Sequence, residues 1–447
     1  MLSARLSNGR IVFVLVLVLA AIAAWLMRHI ATVAIPSLRP DSLWLIWILS
    51  FATIAWTNLL ALLERPKTAS RVQERELDKL RVVVLIPAYN EDEALLKACI
   101  NSLLIQSRLP NHIEVVDDGS TKNYQPVRLW LVALLERRDI SIRWTRTDNG
   151  GKRHAQSVGI ANNPDADIYL TLDSDTVLDP DAIRNGLLPF ADPRIQSVAG
   201  LCLPINVSEN LLTRFTGLWE TIWQLVERSA QSTMGCVTVN SGILAFYRGD
   251  TIRTYMSGYM SETFFGREVR FSDDSLMTLY ALNHGKTVQQ TNSIAFSAVP
   301  NKYSHHIRRY IRWMRGSFIR TWWRFKYLPL TSYIYWLHLF RWVQFALSAV
   351  ASVYLIYSGI FHNRQLLPYL VLVPVIIAYV QSLRYLIIRR SDESVVSQFI
   401  TFLTAPIAMI WLLCVMRFVK YYAYLTVFKT GWGTRQAGKV EVGLQRN

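Results

Sequence analysis

"DIYLTLDSDTVLDP", residues 167–180, decides how the chain is read. Ile168, Tyr169, Leu170 and Leu172 make a short apolar run of the kind that forms a buried strand. It runs directly into Asp173, Ser174 and Asp175. Burying a carboxylate is costly unless it is paired or holds a cation. Either the two acids hold a divalent ion, or they form an Asx-turn opening the next element. With Ser174 alternating between them, both carboxylates point the same way. A Mg²⁺ site commonly takes one or two carboxylates and completes its shell with substrate phosphate oxygens.

The neighbouring stretches repeat the pattern. "RVVVLIPAYNE" (81–91), "HIEVVDDGS" (112–120) and "ISIRWTR" (140–146) read as strands that end in polar clusters. "DEALLKACINSLLIQS" (92–107) and "KRHAQSVGIANN" (152–163) have helical periodicity. Strands alternating with helices predict an α/β domain with a mostly parallel sheet. Ligands of such sheets lie at the carboxyl ends of the strands. Asp117 and Asp118 therefore share an edge with Asp173 and Asp175, and "NGGKRHA" (149–155) brings Lys152 and Arg153 close enough to meet phosphates.

Around this domain the composition is that of a membrane protein: 51% of the 447 residues are hydrophobic. Ile11–Met27 and Leu43–Leu63 are uncharged runs of spanning length. A cleaved leader is the alternative for the first run, but a second run so close by favours a hairpin. Residues 64–80 are a charged linker. Two further spans are expected at Trp336–Ile360 and Leu366–Ile388. Ser397–Phe428, with Pro406, Arg417 and Lys420, reads as a broken hairpin or an interfacial helix, and we favour the second. Arg65, Lys67, Arg71, Arg389 and Arg390 put the domain on the cytoplasmic side. Four scattered cysteines show no metal-ligand spacing and no disulfide framework.

The net charge is +16, and Ser275–Ser391 contains no acid at all. Because the basic residues border hydrophobic spans, lipid headgroups or a phosphorylated substrate are expected as partners, and no nucleic acid. Residues 303–326 predict an amphipathic helix lying in the interface plane. Ile307, Ile311, Met314, Phe318, Trp322 and Phe325 form its apolar stripe, and Arg308, Arg309, Arg312 and Arg320 lie on the other side. Trp313 falls on the cationic side, where lipid burial does not explain an indole. Trp322 and Trp323 are expected in an interfacial belt, His305 and His306 at the interface, and His154 on a solvated helix face.

The order "PAYNE" (87–91), "VVDDGS" (115–120), "GGKRHA" (150–155), "LDSDT" (172–176), "VNSGILAFYR" (239–248), "SDDS" (272–275) and "RYIRW" (309–313) resembles the processive family-2 glycosyltransferases, nearest to hyaluronan synthases and the rhizobial chitooligosaccharide synthase. "TRFTGLWETIWQLVERSAQSTMG" (213–235) and "KTGWGTR" (429–435), with Trp432 and Arg435, extend the resemblance over nearly the whole chain. The resemblance implies a GT-A domain at 65–300, a transmembrane hairpin at 1–64, an interfacial helix at 301–330, a transmembrane and interfacial region at 331–428 and a cytoplasmic tail at 429–447. It implies a multi-pass enzyme of the cell membrane with a UDP-sugar donor, Mg²⁺ or Mn²⁺ as cofactor, and a growing saccharide or lipid as acceptor.

By the same resemblance Tyr89, Glu91, Asp117 and Asp118 match the nucleoside side, Lys152 and Arg153 the diphosphate side, Asp173 the nucleotide sugar and Asp175 the metal ligand. Asp274 matches the general base, though "SDDS" also suits a helix N-cap. Asn240, Gly242, Arg309, Arg312 and Trp313 match acceptor positions, Trp313 as a stacking platform. Arg309 stands where the family usually has Gln, and Arg only donates hydrogen bonds and is always charged. Ser275 stands where an Arg commonly follows the base. The expected activity is inverting extension of a β-linked polysaccharide or oligosaccharide, passed through the enzyme's own spans. The alternatives are a non-processive enzyme adding one sugar to a lipid or lipid-linked acceptor, and a membrane-anchored binding protein without turnover.

Overall fold

The computed structural model describes residues 1–7, 43–135, 140–362 and 367–430, with a few single positions between them. The first apolar run, almost entirely, and the tail carrying Trp432 and Arg435 lie outside the described residues.

The strands are β1 Ala4–Leu6, β2 Val82–Ala88, β3 His112–Asp118, β4 Ser141–Thr147, β5 Ile168–Thr171, β6 Val177–Leu178, β7 Ile195–Pro204, β8 Ala245–Arg248, β9 Thr263–Phe264, β10 Arg267–Glu268, β11 Lys286–Ser297 and β12 Ile388–Arg390. Eight of them form the central sheet in the order β4-β3-β2-β5-β8-β7-β11-β6. The four strands read from sequence, β2 to β5, pair in parallel, as do β7 and β11; β8 runs antiparallel to both neighbours and β6 antiparallel to β11. This is a mixed GT-A sheet with a parallel half that carries the acids.

The period of two explains the layers. Val82, Val84 and Ile86 pack with helices Glu93–Leu104 and Gln125–Leu135 on one face. Val83 and Leu85 pack on the other with helices Lys152–Ala161 and Asp273–His284. β2 is buried on both sides, which is why its sequence is an unbroken apolar run. A third cluster joins β7 and β11 to helix Leu211–Ile222, to Leu60 and Ala61 at the domain end of helix Leu43–Leu63, and to Ala378 and Leu383. It seats the domain on its apolar helices.

Three described helices are long and apolar enough to cross a membrane: Tyr333–Phe361, Leu370–Ile387 and Ala405–Leu425. Within 397–428 the last is one continuous helix. Pro406 sits in the helix's first turn, where its missing N–H breaks nothing, and the helix continues without reversing. It runs beside the amphipathic helix Tyr303–Tyr327 along its length. Trp411 meets Tyr303 at 5.5 Å, Tyr424 meets Phe318 at 5.2 Å, and Arg315 donates to Thr426 Oγ1 at 2.7 Å. Just beyond it, Arg267 of the α/β domain donates to the Phe428 carbonyl at 3.1 Å. At the other end of the chain β1 pairs with β12, and the Ala4 N–H donates to Asp179 Oδ2 at 3.0 Å.

The helix Tyr303–Tyr327 is clamped to the domain by one buried carboxylate. Glu262 accepts Arg320 on both oxygens, Trp323 Nε1–H at 2.9 Å and Arg153 at 2.7 Å. Arg320, expected on a solvated polar face, is wholly buried because this acid lies opposite it. Burial works to raise the Glu262 pKa, but Arg320 and Arg153 outweigh it and hold the carboxyl below its ordinary value.

Glu262→Gln leaves two buried guanidinium groups without their counter-charge, so it should destabilise the protein by about 3–5 kcal/mol. Asp165→Asn, which breaks the exposed Arg81–Asp165 pair, should change stability by less than about 1 kcal/mol. Thermal unfolding of both variants in detergent checks the contrast; equal midpoints would mean the clamp contributes nothing special.

Candidate active site

β5 ends at Thr171 and β6 begins at Val177, so residues 172–176 form a tight corner at the carboxyl edge of the sheet. The backbone closes this corner: the Thr176 N–H donates to the Asp173 carbonyl at 3.1 Å. The Asp173 side chain is engaged elsewhere, since Oδ1 accepts Lys152 Nζ at 2.6 Å. The buried Cys99 thiol lies beneath, donating to the Asp173 carbonyl at 3.6 Å. Burial, then Asp175, then Asp173 push that thiol's pKa up.

Lys152 joins this corner to the next element. Its ammonium also lies 3.3 Å from Asp273 Oδ2, in the first turn of helix Asp273–His284. Burial disfavours the ammonium, but Asp173 and Asp273 outweigh that and hold its pKa above the usual lysine range. Asp274 follows, its Oδ1 accepting the Ser275 N–H at 2.6 Å. It is not the N-cap, which is Ser272. Burial and then the like charge of Asp273 push the Asp274 carboxyl up to about 6. Burial also works to raise Asp273, but Lys152 and Arg153 hold it below its ordinary range. Two adjacent carboxyls thus separate into a firmly ionised partner of Lys152 and one that titrates near neutrality, the arrangement a general base needs.

Two close backbone approaches shape this pocket. A Cβ on Gly242 would lie 2.9 Å from Lys152 Nζ and 3.8 Å from Asp173 Oδ1. Ser272 adopts the left-handed conformation, φ 63°, which costs a non-glycine residue roughly 1–2 kcal/mol. Gly316 of the amphipathic helix sits against it; a Cβ there would meet Ser272 Oγ at 2.1 Å.

The expected nucleoside residues form an ordered loop set at the same edge. Asp118 accepts the Gly150 and Gly151 N–H groups at 2.9 Å each, shaping the loop that opens helix Lys152–Ala161. Asp117 accepts the Ser120 N–H at 2.9 Å and pairs with Arg146 at 3.4 Å. Glu91 accepts Ser174 Oγ–H at 2.9 Å, tying the first loop to the acid corner. Tyr89 is half-buried just beyond β2. His154 lies 3.7 Å from Asp118 and does not stand free in solvent.

Two expected ligand residues point elsewhere. Arg153 turns away from Lys152 into the protein, donating to Glu262, to the Phe271 carbonyl at 2.6 Å and to the Tyr259 carbonyl at 3.3 Å. Asn240 is fully buried, its side chain donating to Ser197 and its N–H to Thr278 Oγ1 at 2.9 Å. Arg309 pairs with Glu220 and lies 4.5 Å from the Trp313 ring centroid. Trp313 is 41% exposed, and Arg312 is half-exposed beside it. The structure adds Asp273, Glu220 and Glu262 to the expected set. The sequence signals were faint: an acid beside the expected base, and single acids in the otherwise uncharged runs "FTGLWETIWQ" and "YMSETFFG".

Among the described residues no three acidic, His or Cys side chains cluster into a metal cage. The Asp173–Asp175 pair fits a hard divalent cation that takes its remaining ligands from a diphosphate. Mg²⁺ and Mn²⁺ both suit an all-oxygen site.

The family description "Glycosyl transferase family 2" matches residues 83–250, and "Glycosyl transferase family group 2" matches residues 168–430. A hyaluronan synthase from Streptococcus pyogenes is 30% identical over 359 residues, covering 80% of this chain and 83% of its own. An N-acetylglucosaminyltransferase from Azorhizobium caulinodans is 32% identical over 240 residues, 53% of this chain and 60% of its own. A mannosyltransferase from Pyrobaculum calidifontis, in complex with GDP-Man and Mn²⁺, superposes with a TM-score of 0.52 at 18% identity, over 93% of this chain and 99% of that one. At that identity the last likeness concerns the fold.

A methyl at Gly242 displaces the Lys152 ammonium without straining the backbone. Gly242→Ala should therefore leave the melting point nearly unchanged yet weaken nucleoside diphosphate binding roughly tenfold, the worth of one charge-assisted hydrogen bond. Isothermal titration with UDP checks this; full affinity would mean that Lys152 keeps its place beside the methyl.

Proposed function

The chain belongs to glycosyltransferase family 2, and from that premise we propose that it extends a β-linked saccharide with inversion, using UDP-sugars at the cytoplasmic face of a membrane. The carrying observation is the Lys152 bridge, which joins the Asp173–Asp175 corner to the Asp273–Asp274 pair in one pocket.

In this reading Asp175, with Asp173 beside it, would hold a divalent cation whose chemistry is to neutralise charge on the leaving diphosphate. Lys152 keeps Asp173 and Asp273 oriented and supplies positive charge beside the phosphates. Asp274 accepts the proton of the acceptor hydroxyl. The oxygen so freed attacks the anomeric carbon, and the bond from that carbon to the diphosphate oxygen breaks. UDP leaves with the electron pair, opposite the attacking face, so the configuration inverts. Trp313 stacks on the acceptor sugar, and Arg312 contacts the acceptor or the diphosphate. The loops of Tyr89, Glu91, Asp117 and Asp118 surround the nucleoside.

The membrane arrangement rests on contacts. Tyr333–Phe361 and Leu370–Ile387 cross the bilayer and return. Ala405–Leu425 lies at the interface in spite of its apolar composition, because both its ends touch domain-side residues. Translocation of the product through these helices is part of the proposal and is supported by the likeness to hyaluronan synthase over most of both chains.

Asp274 titrating near 6 sets the sign of the pH dependence. Below that pH the carboxyl is protonated and cannot accept a proton, so kcat/KM should fall about tenfold per pH unit. Above it the rate should level off. Asp273→Asn removes the like charge and should move the midpoint to lower pH; Asp274→Asn should abolish transfer while UDP still binds. A limb unmoved by Asp273→Asn would detach the titration from this pair. Product chemistry is read by incubating purified protein with each UDP-sugar singly and in pairs, following UDP release and product mass. A ladder of added sugars is expected, whereas one sugar added to extracted lipid would replace this reading with lipid glycosylation.

A further inference from the structure

Arg309 departs from the residue type usual at its position, and its surroundings explain how the chain accommodates a cation there. The guanidinium is 15% exposed and pairs with Glu220 of helix Leu211–Ile222, itself 23% exposed. Burial raises the Glu220 pKa, with Arg309 opposing. One turn along its own helix, Arg309 lies over the Trp313 indole at 4.5 Å, the spacing at which helical side chains meet. A guanidinium is planar and stacks on aromatic faces. It covers one face of this indole, and the ring remains 41% exposed. A lone arginine has many rotamers. A carboxylate on a second element restricts it to the one that backs the ring.

We propose that Glu220 is a positioning residue for the acceptor: acting through Arg309, it holds the Trp313 indole so that one face is covered and the other is presented to the incoming sugar. This rests on Trp313 being the acceptor platform. Arg309 acts behind the ring and makes no contact with the saccharide.

The test is steady-state kinetics on the full-length protein in detergent, with a soluble oligosaccharide of its own product as acceptor. Donor hydrolysis to water and UDP affinity are measured alongside. Glu220→Gln should raise the acceptor KM about five- to tenfold, the worth of one desolvated cation–π contact, with donor hydrolysis and UDP affinity unchanged. Glu220→Gln/Arg309→Gln should raise the acceptor KM no further than Arg309→Gln alone, because both changes remove the same cover from the ring. If Glu220→Gln does not accumulate as folded protein, Arg309→Lys makes the same test. It keeps the charge pair but loses the planar cover, so acceptor KM should again rise. An unchanged acceptor KM, a parallel loss of hydrolysis and UDP binding, or additive losses in the double variant would overturn the inference. Trp313→Ala separates the two levels. A raised acceptor KM there with none in Glu220→Gln defeats only the role of Glu220, and no effect of Trp313→Ala defeats the platform as well.

Discussion

The Glu262 carboxylate is the constraint on which the rest depends. It lies inside the protein, facing two guanidinium groups and an indole N–H from different parts of the chain. Arg153 comes from the helix that also carries Lys152, and Arg320 and Trp323 come from the amphipathic helix. One acid therefore sets the distance between the catalytic sheet and the element that carries Trp313. The charges do not cancel locally, since one carboxylate meets two cations. The surplus is felt at Asp273, whose carboxyl Arg153 helps to keep ionised. The firmly ionised state of Asp273 then contributes to the raised state of Asp274.

The parallel half of the fold was legible because its physics is local. β2, β3 and β5 are largely apolar runs with a polar stop, β4 alternates as an edge strand does, and the alternation with helices leaves few ways to connect them. The acid corner was legible as a place, but the Lys152 partner of the Asp173 side chain lies on another element and had no local signal. What failed to read were residues whose role is set by distant partners. Lys152 and Arg153 are adjacent in sequence, yet neighbouring positions on a helix face different directions. One meets the acids and the other meets Glu262. Asn240 lies in a motif that points to the acceptor, but its side chain satisfies a buried serine. Glu220 and Glu262 pair with arginines far along the chain, and no local pattern announces such a partner. β7 and β11 bring their own strand pairings from the same distance.

The apolar helices show the same limit in another form. Length and hydropathy cannot separate a helix that crosses a bilayer from one that lies along it. Ala405–Leu425 qualifies on composition, and it also packs along Tyr303–Tyr327 from Tyr303 to Phe318 and delivers Phe428 to Arg267. The pair makes an aromatic-rich raft beneath the catalytic domain. The chain end leaving that raft approaches the domain beside β9 and β10, where Arg270 N–H reaches the Thr430 carbonyl at 3.5 Å.

Gly316 against Ser272 gives this raft a mechanical meaning. The glycine lets the helix backbone approach the Ser272 side chain, and that serine is held in a left-handed twist immediately before Asp273 and Asp274. Only a serine hydroxymethyl group separates the helix backbone from that peptide, which leaves little slack. A shift of the Tyr303–Tyr327 helix therefore bears directly on the turn that opens helix Asp273–His284.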